Sequence, residues 1–398
     1  MKIDFKKFYS EEEVVSLLQK LIAIPSHKGT EGREAAVGDF IYDYCKELGF
    51  ECEKVPVDGT RNNIHVRLRG KGTGKNLLLN GHMDTVPPYE MTIDPYAGVV
   101  KDGSVWGRGA NDMKGGLASM IIAMLALKRS GIQLKGDVLL CAVVGEETES
   151  DGTEAFVVNG GTADGAIVGE PSDYGYAIGH RGLETFEIQV EGTTMHSGQA
   201  QKGINAIKMM ARLIDRIETE LFPKIVAREN PYMGQALMNY GKIFGGEQVC
   251  TVAGECILQF DRRYIAGETV ESVTAEYQEI IDRLHEEDPQ FKATLTRMPN
   301  SRMKHLAHAP LIPRPESELV QTVDSVLEEF LGEKPEISTK RGWTDAGVLS
   351  SYGNIPTVVC GPGKLAFSHT KDEHTPIDHL YHFVSLYAEI AARFCGVE

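Results

Sequence analysis

Two histidines and a group of carboxylates in this chain fall where an apolar run has just ended. Leu77-Leu78-Leu79 leads into GHMDTVPP, presenting His82 and Asp84, and DVLLCAVV leads into GEE, presenting Glu146 and Glu147. AIV leads into GEP, presenting Glu170, and PTVVC leads into GPG and then SHTKDE, presenting His369. A fifth segment, GRGANDMKGG, sets Asp112 at the mouth of a helix. Ligands of open α/β sheets bind outside the carboxyl ends of the strands, so these groups are expected to converge on one edge. A single histidine in such a place is ordinarily a solvated loop residue, and paired glutamates are ordinarily a solvated turn. Coincidence at so many strand ends asks for another reason. Imidazole with carboxylate suits zinc and related divalent ions, whereas oxygen donors alone suit magnesium or calcium. Three ligand carboxylates and a bridging hydroxide carry about four negative charges, which balance two divalent cations. The donor set predicts a dinuclear centre.

The elements that must position these groups follow from periodicity. Helices are expected over Glu11 to Ile22, Glu34 to Leu48 and Lys114 to Arg129, the last stopped by Gly131. Strands are expected at Asn63 to Leu68, Leu77 to Leu79, Val138 to Val144 and Ala166 to Val168. Helices alternating with nearly all-apolar strands predict a sheet buried on both faces. From about Leu183 the order changes to strand (Glu184 to Val190), helix (Ile204 to Leu221), two strands (Ala236 to Ile243 and Glu255 to Ile265), helix (Val270 to Glu286) and strand (Phe291 to Arg297). That βαββαβ order is the split arrangement of ferredoxin-like modules. A helix at Glu318 to Leu331, a buried strand at Ile355 to Cys360 and a final helix from about Leu380 complete the chain. The fold class is α/β: a mixed, mostly parallel sheet flanked by helices over residues 1–182 and 301–398, with a ferredoxin-like domain inserted at 183–300.

At 398 residues the chain has room for two or three domains. Its 41 basic and 57 acidic side chains give a net charge of −16, without the basic footprint that a phosphate backbone requires. No window approaches the roughly 18 apolar residues of a membrane span, and MKIDFKKFYSEEE lacks a signal-peptide core, so a soluble cytoplasmic protein is expected. Seven cysteines without a C-x-x-C pair, several inside apolar runs, read as reduced structural thiols.

GHMDTVP, GRGANDMKGG, EE, GEP and SHTKDE together resemble the dinuclear zinc hydrolase family that includes aminoacylase, carboxypeptidase G, acetylornithine deacetylase and succinyl-diaminopimelate desuccinylase, over nearly the whole chain. The resemblance implies that His82 and Glu170 hold one metal, Glu147 and His369 hold the other, and Asp112 bridges them. Asp84 would bind the far ring nitrogen of His82 and fix its tautomer. Glu146 would be the general base, taking a proton from the bridging water and passing it to the leaving nitrogen. A cis peptide is implied at Asp112-Met113. The inserted domain resembles the family's lid and dimerisation domain. There His196 in TTMHSGQA would stabilise the tetrahedral oxyanion, and Arg263 in QFDRRY would fork onto a substrate carboxylate, with Arg262 on the opposite face. RGWTDAG, with Thr344 and Asp345, resembles a loop near the substrate. Two departures stand out: Cys250-Thr251-Val252-Ala253 replaces the family's asparagine followed by V-V-P, and Lys371 stands where a proline or small residue is common. His374 is the neighbouring histidine, but the H-x-x-D-E spacing belongs to His369.

Other signals carry less. GKGTGKN, Gly70 to Asn76, lacks the phosphate-loop spacing and reads as a hairpin turn; GRGAND is not a dinucleotide fingerprint, and there is no G-x-S-x-G elbow. His27, His65 and His180 read as structural, and Met209-Met210 as core. The expected activity is metal-dependent hydrolysis of the amide of a small N-acylated amino acid, of deacetylase or desuccinylase type. The cofactors would be two divalent ions, zinc first and cobalt or manganese next. The alternative is a metallo-exopeptidase acting on small peptides; a catalytically inactive binding relative would not need the base together with every ligand. The expected partners are the small substrate and a second copy joined through the lid, with neither nucleic acid nor membrane.

Overall fold

A computed structural model describes residues 3–299, 303–340 and 342–398. The chain divides into two compact units: Met1–Ile178 with Ile312–Thr339 and Thr344–Glu398, and Gly179–Leu311 with Lys340–Trp343. The second unit is wider than 183–300. Lys340 bridges to His180, and the Trp343 ring packs edge-on to His308 at 4.6 Å, contacts between distant segments that no local pattern announces.

The first unit is built on a six-stranded sheet, in the spatial order Glu51–Asp58, Arg61–Leu68, Val138–Val143, Leu77–His82, Gly165–Val168 and Thr357–Val359. The last four are parallel and the first two antiparallel. Leu77–His82, in the middle, is buried along its whole length, which is why it reads as an unbroken apolar run rather than an alternation. Helices Glu11–Ile22, Lys114–Ser130 and Ile377–Cys395 pack with one another, and Lys114–Ser130 is buried from Lys114 to Leu127. Parallel strands end on the same edge. Consequently His82, the segment after Val143, the segment after Val168 and the segment after Val359 all emerge together.

Two local expectations differ from the structure. Strand Glu51–Asp58 escapes the sequence pattern because it is polar, contains Pro56 and lies at the end of the sheet with much of its length exposed. Gly70 to Asn76 is not a hairpin turn, because Val138–Val143 is inserted between the two strands it connects. Gly70 and Gly74 serve a close backbone approach instead: a Cβ on Gly70 would sit 2.2 Å from the Gly136 carbonyl oxygen, and one on Gly74 2.2 Å from that of Cys395.

The second unit is a four-stranded antiparallel sheet in the order Leu237–Gly245, Glu255–Tyr264, Gly182–Glu191, Lys292–Arg297. Phe186, Ile188 and Val190 alternate inward on Gly182–Glu191 and pack with Met210 and Leu213 of helix Ala206–Arg216 and with Tyr277 and Ile281 of helix Val270–Glu287. Among the described residues, no helix is long and apolar enough to cross a membrane.

Candidate active site

The edge of the first unit gathers His82, Asp84, Asp112, Glu146, Glu147, Glu170 and His369. His82 ends the central strand and is 1% exposed. Its Nδ1 lies 2.9 Å from the main-chain carbonyl oxygen of Asp84, which can only accept, so Nδ1 carries the proton. The Nε2 lone pair is then aimed at two carboxylates, Asp112 Oδ1 at 3.1 Å and Glu170 Oε1 at 3.4 Å. On the other side His369 Nε2 lies 2.9 Å from Glu147 Oε1 and 3.4 Å from Asp112 Oδ2. Asp112 thus divides its oxygens between two clusters, His82–Asp112–Glu170 and Asp112–Glu147–His369, in each of which the donor atoms lie within 4.8 Å of one another.

Acceptors facing acceptors require a cation between them. Burial opposes protonation of His82, yet hydrogen bonds to Asp112, Asp84 and Glu170 hold its pKa well above the ordinary value. The Glu147 carboxylate, acting against desolvation, likewise raises His369 to about 9. Without ions, protons must fill the place of positive charge. With neutral imidazoles and three carboxylates dividing as they do, the residues fit a pair of divalent cations, and the mixed nitrogen and oxygen donors suit borderline metals.

Asp84 reaches His82 Nδ1, the ring nitrogen expected of it, and has a second task as well. Its carboxylate stands 3.5 Å from His82 Nδ1, farther than the main-chain carbonyl, and its two oxygens also accept the backbone N–H groups of Glu146 (3.1 Å) and Glu147 (3.0 Å). It therefore holds the GEE turn in place. Burial pushes the Glu146 carboxyl well above the usual range, with Glu170, Asp345 and Glu147 reinforcing the shift and His82 opposing it. A deeper clamp anchors the same turn: Arg61 pairs with buried Glu34 (2.7 Å) and with Asp151 (2.5 Å), and Arg33 donates to the Thr148 hydroxyl at 2.8 Å.

The Asp112–Met113 peptide is cis, as the resemblance implied. Glu373, fully buried, accepts the N–H groups of Asn111 and Asp112, each at 3.0 Å, and pairs with Arg108. The roles of Glu373, Arg108, Arg61 and Asn111 escaped sequence reasoning; only the H-x-x-D-E spacing pointed at the first. His374 is stacked against Trp106 and Phe367, each ring centroid 4.1 Å away, so it is His369 that faces Glu147. Thr344 is buried, its hydroxyl accepting Ala346 N–H at 3.3 Å at the start of a short helix. Asp345 accepts the Thr153 hydroxyl at 2.8 Å, and burial pushes its pKa up to about 7.

His196 and Arg263 belong to the second unit. His196 is exposed, with Nδ1 accepting Gly198 N–H at 3.1 Å. Arg262 is fully buried against Glu268 at 2.6 Å, while Arg263 is partly exposed and meets Asp261 at 3.3 Å.

An α/β sheet whose parallel strand ends bring a divided aspartate between two histidine–carboxylate clusters defines a metal-dependent hydrolase. Residues 78–393 match peptidase family M20/M25/M40, and the chain belongs to that family. Acetylornithine deacetylase of Proteus mirabilis (strain HI4320) is 32% identical over 398 residues, covering 96% of this chain and 97% of that protein. The N-formyl-4-amino-5-aminomethyl-2-methylpyrimidine deformylase of Bacillus subtilis (strain 168) is 30% identical over 414 residues, covering 97% and 95%. The crystal structure of a tripeptidase from Staphylococcus aureus shares the fold, with a TM-score of 0.79 at 22% identity and coverage of 98% and 99%.

Proposed function

We propose that this chain hydrolyses the amide bond of a small N-acylated amino acid, using Glu146 as general base and two zinc ions as cofactors. The observation that carries the reading is the division of Asp112 between His82 and His369, with Glu146 held beside them by Asp84. His82, Asp112 and Glu170 would hold one ion, and Asp112, Glu147 and His369 the other. Bound there, the pair supplies Lewis acidity, lowering the pKa of a water and polarising the scissile carbonyl. Glu146 accepts the proton of the attacking water on a carboxylate oxygen as the C–O bond forms. It then delivers that proton to the amide nitrogen as the C–N bond breaks, leaving a free carboxylate and an amine. Its raised proton affinity suits a group that must hold a proton between the two steps.

Removal of a small acyl group from an amine is common to the names of the deacetylase and deformylase relatives described above, which favours deacylation. The likeness to a tripeptidase, at 22% identity, speaks for the fold alone and leaves the exopeptidase as second reading. Arg263 is our proposal for the group that binds the substrate carboxylate, and His196 for the one that stabilises the oxyanion; both are accessible on their own unit. Thr344 is proposed to shape the substrate loop through its hydrogen bond to the Ala346 N–H. A cytoplasmic homodimer is proposed as well, supported by seven free cysteines and by the strand Leu237–Gly245, which ends its sheet and exposes Ile243 and Phe244. Light scattering at the mass of a single chain would dismiss the dimer.

The deciding experiment is Glu146→Gln assayed on N-acetyl, N-succinyl and dipeptide substrates with bound metal measured in parallel. Turnover should fall by at least about 1,000-fold, within the range of a lost general base, with both ions retained. Full activity in that variant would refute the assignment of the base, and dipeptides turned over faster than N-acyl amino acids would favour the second reading.

A further inference from the structure

We propose that Asn111 is a positioning residue that clamps the His369 loop onto the Asp112 loop and thereby builds the second of the two metal clusters. This inference rests on the dinuclear reading above.

His82 and Glu170 follow buried strands of the central sheet, which fix them directly. His369 has no such support. It lies on a loop, its side chain is 49% exposed, and its φ of +60° is in the left-handed region that non-glycine residues rarely occupy. Something outside the residue must hold that backbone. Asn111 is 1% exposed, and its amide is fully engaged with the loop. Nδ2 donates to the Lys364 carbonyl (3.0 Å) and to the Ser368 hydroxyl (2.9 Å), while Oδ1 accepts the Lys364 N–H (3.0 Å). The pairing with both backbone groups of Lys364 fixes which end of the amide is which.

The contacts therefore reach the loop at Lys364 and at Ser368, immediately before His369. Asn111 and Ser368 are each the residue preceding a proposed ligand, so one hydrogen bond ties together the two backbones that present Asp112 and His369. The loop is shaped to receive the amide. A Cβ on Gly363 would lie 2.1 Å from Asn111 Oδ1, and the φ of +96° there again calls for glycine. Alanine at 111 would leave the Lys364 groups and the Ser368 hydroxyl without these partners and free His369 to leave its left-handed conformation. His82 and Glu170 would be untouched.

The test measures zinc retained per chain, by equilibrium dialysis of the full-length protein against chelator-buffered zinc. Wild type should bind two ions. Asn111→Ala should keep one at wild-type affinity and weaken the other by about 10- to 100-fold, the usual effect of losing a group that orients a ligand. Ser368→Ala, which removes one bond of the clamp and keeps the rest of the loop, should weaken the same ion by a smaller factor. In the Asn111→Ala/His369→Ala double variant the remaining ion should bind as it does in His369→Ala alone, because both changes act on one cluster. A general packing role would instead weaken both ions alike, and that result, or affinities within twofold of wild type, would overturn the inference. If Asn111→Ala does not fold, Ser368→Ala decides: both affinities unchanged would overturn it. Wild type binding fewer than two ions would bring down the dinuclear reading itself, a separate and recognisable result.

Discussion

Asp84→Asn separates two ways in which this aspartate could serve catalysis. If its task is to fix the His82 tautomer, the substitution should disturb metal binding. In the structure, however, the Nδ1 proton is met at 2.9 Å by the main-chain carbonyl of Asp84, which asparagine keeps. What the substitution removes is the pair of carboxylate oxygens accepting the Glu146 and Glu147 N–H groups at 3.1 and 3.0 Å. Each charge-assisted bond is worth about 1.5 to 3 kcal/mol. The amide retains one acceptor, now neutral, and turns an NH₂ group towards the other N–H, for a net loss of about 2 to 4 kcal/mol. Glu146 acts in the transition state, so the loss should appear in kcat, as a fall of about 30- to 1,000-fold with KM little changed. The assay is steady-state kinetics on the preferred N-acyl amino acid, with zinc content measured on the same samples. A kcat within threefold of wild type, or the loss of an ion, would refute the reasoning: the first because the GEE turn would not need the carboxylate, the second because a ligand, His82 or Glu147, would need it to hold its metal.

Two further perturbations follow from the charges around the site. Arg61→Met leaves buried Glu34 with only the longer contact to Arg33 at 3.4 Å, and breaking a buried pair costs up to about 3 to 5 kcal/mol. The thermal midpoint of the ion-free protein should therefore drop clearly, and an unchanged midpoint would contradict the clamp. For pH, His369 in the ion-free protein is raised from its ordinary value of about 6.5 to about 9. A raised folded-state pKa stabilises the ion-free fold fully below about pH 6.5 and loses that contribution as pH rises through about 9. Ion binding must displace the same proton, so zinc affinity at that cluster should tighten between pH 6.5 and 9, approaching about tenfold per unit. Dialysis at three pH values checks this, and a flat affinity would show that no proton is displaced.

Several elements were legible locally and others were not. The helix at Glu11 was legible in its periodicity, to which the structure adds a Ser10–Glu13 capping box, and the central strand in three consecutive leucines. Strand Glu51–Asp58 was not, because an exposed end strand has no apolar face to betray it. The glycines of residues 70–76 suggested a turn, but their reason lies in a backbone that returns beside them from Gly136. Among the site residues, nothing local singled out Arg61, and only the H-x-x-D-E spacing marked Glu373; burial and pairing gave both their tasks.

The types and positions of the donors are properties of the sequence alone, since a strand's apolar run and the polar residue that ends it are adjacent in the chain. Which oxygen of Asp112 meets which histidine, where the Asp84 carboxylate is spent and what holds His369 in place were decided only by tertiary structure. Those are contacts between segments 30 to 257 residues apart, and a hydrogen bond's direction depends on how such segments pack, which no local pattern encodes.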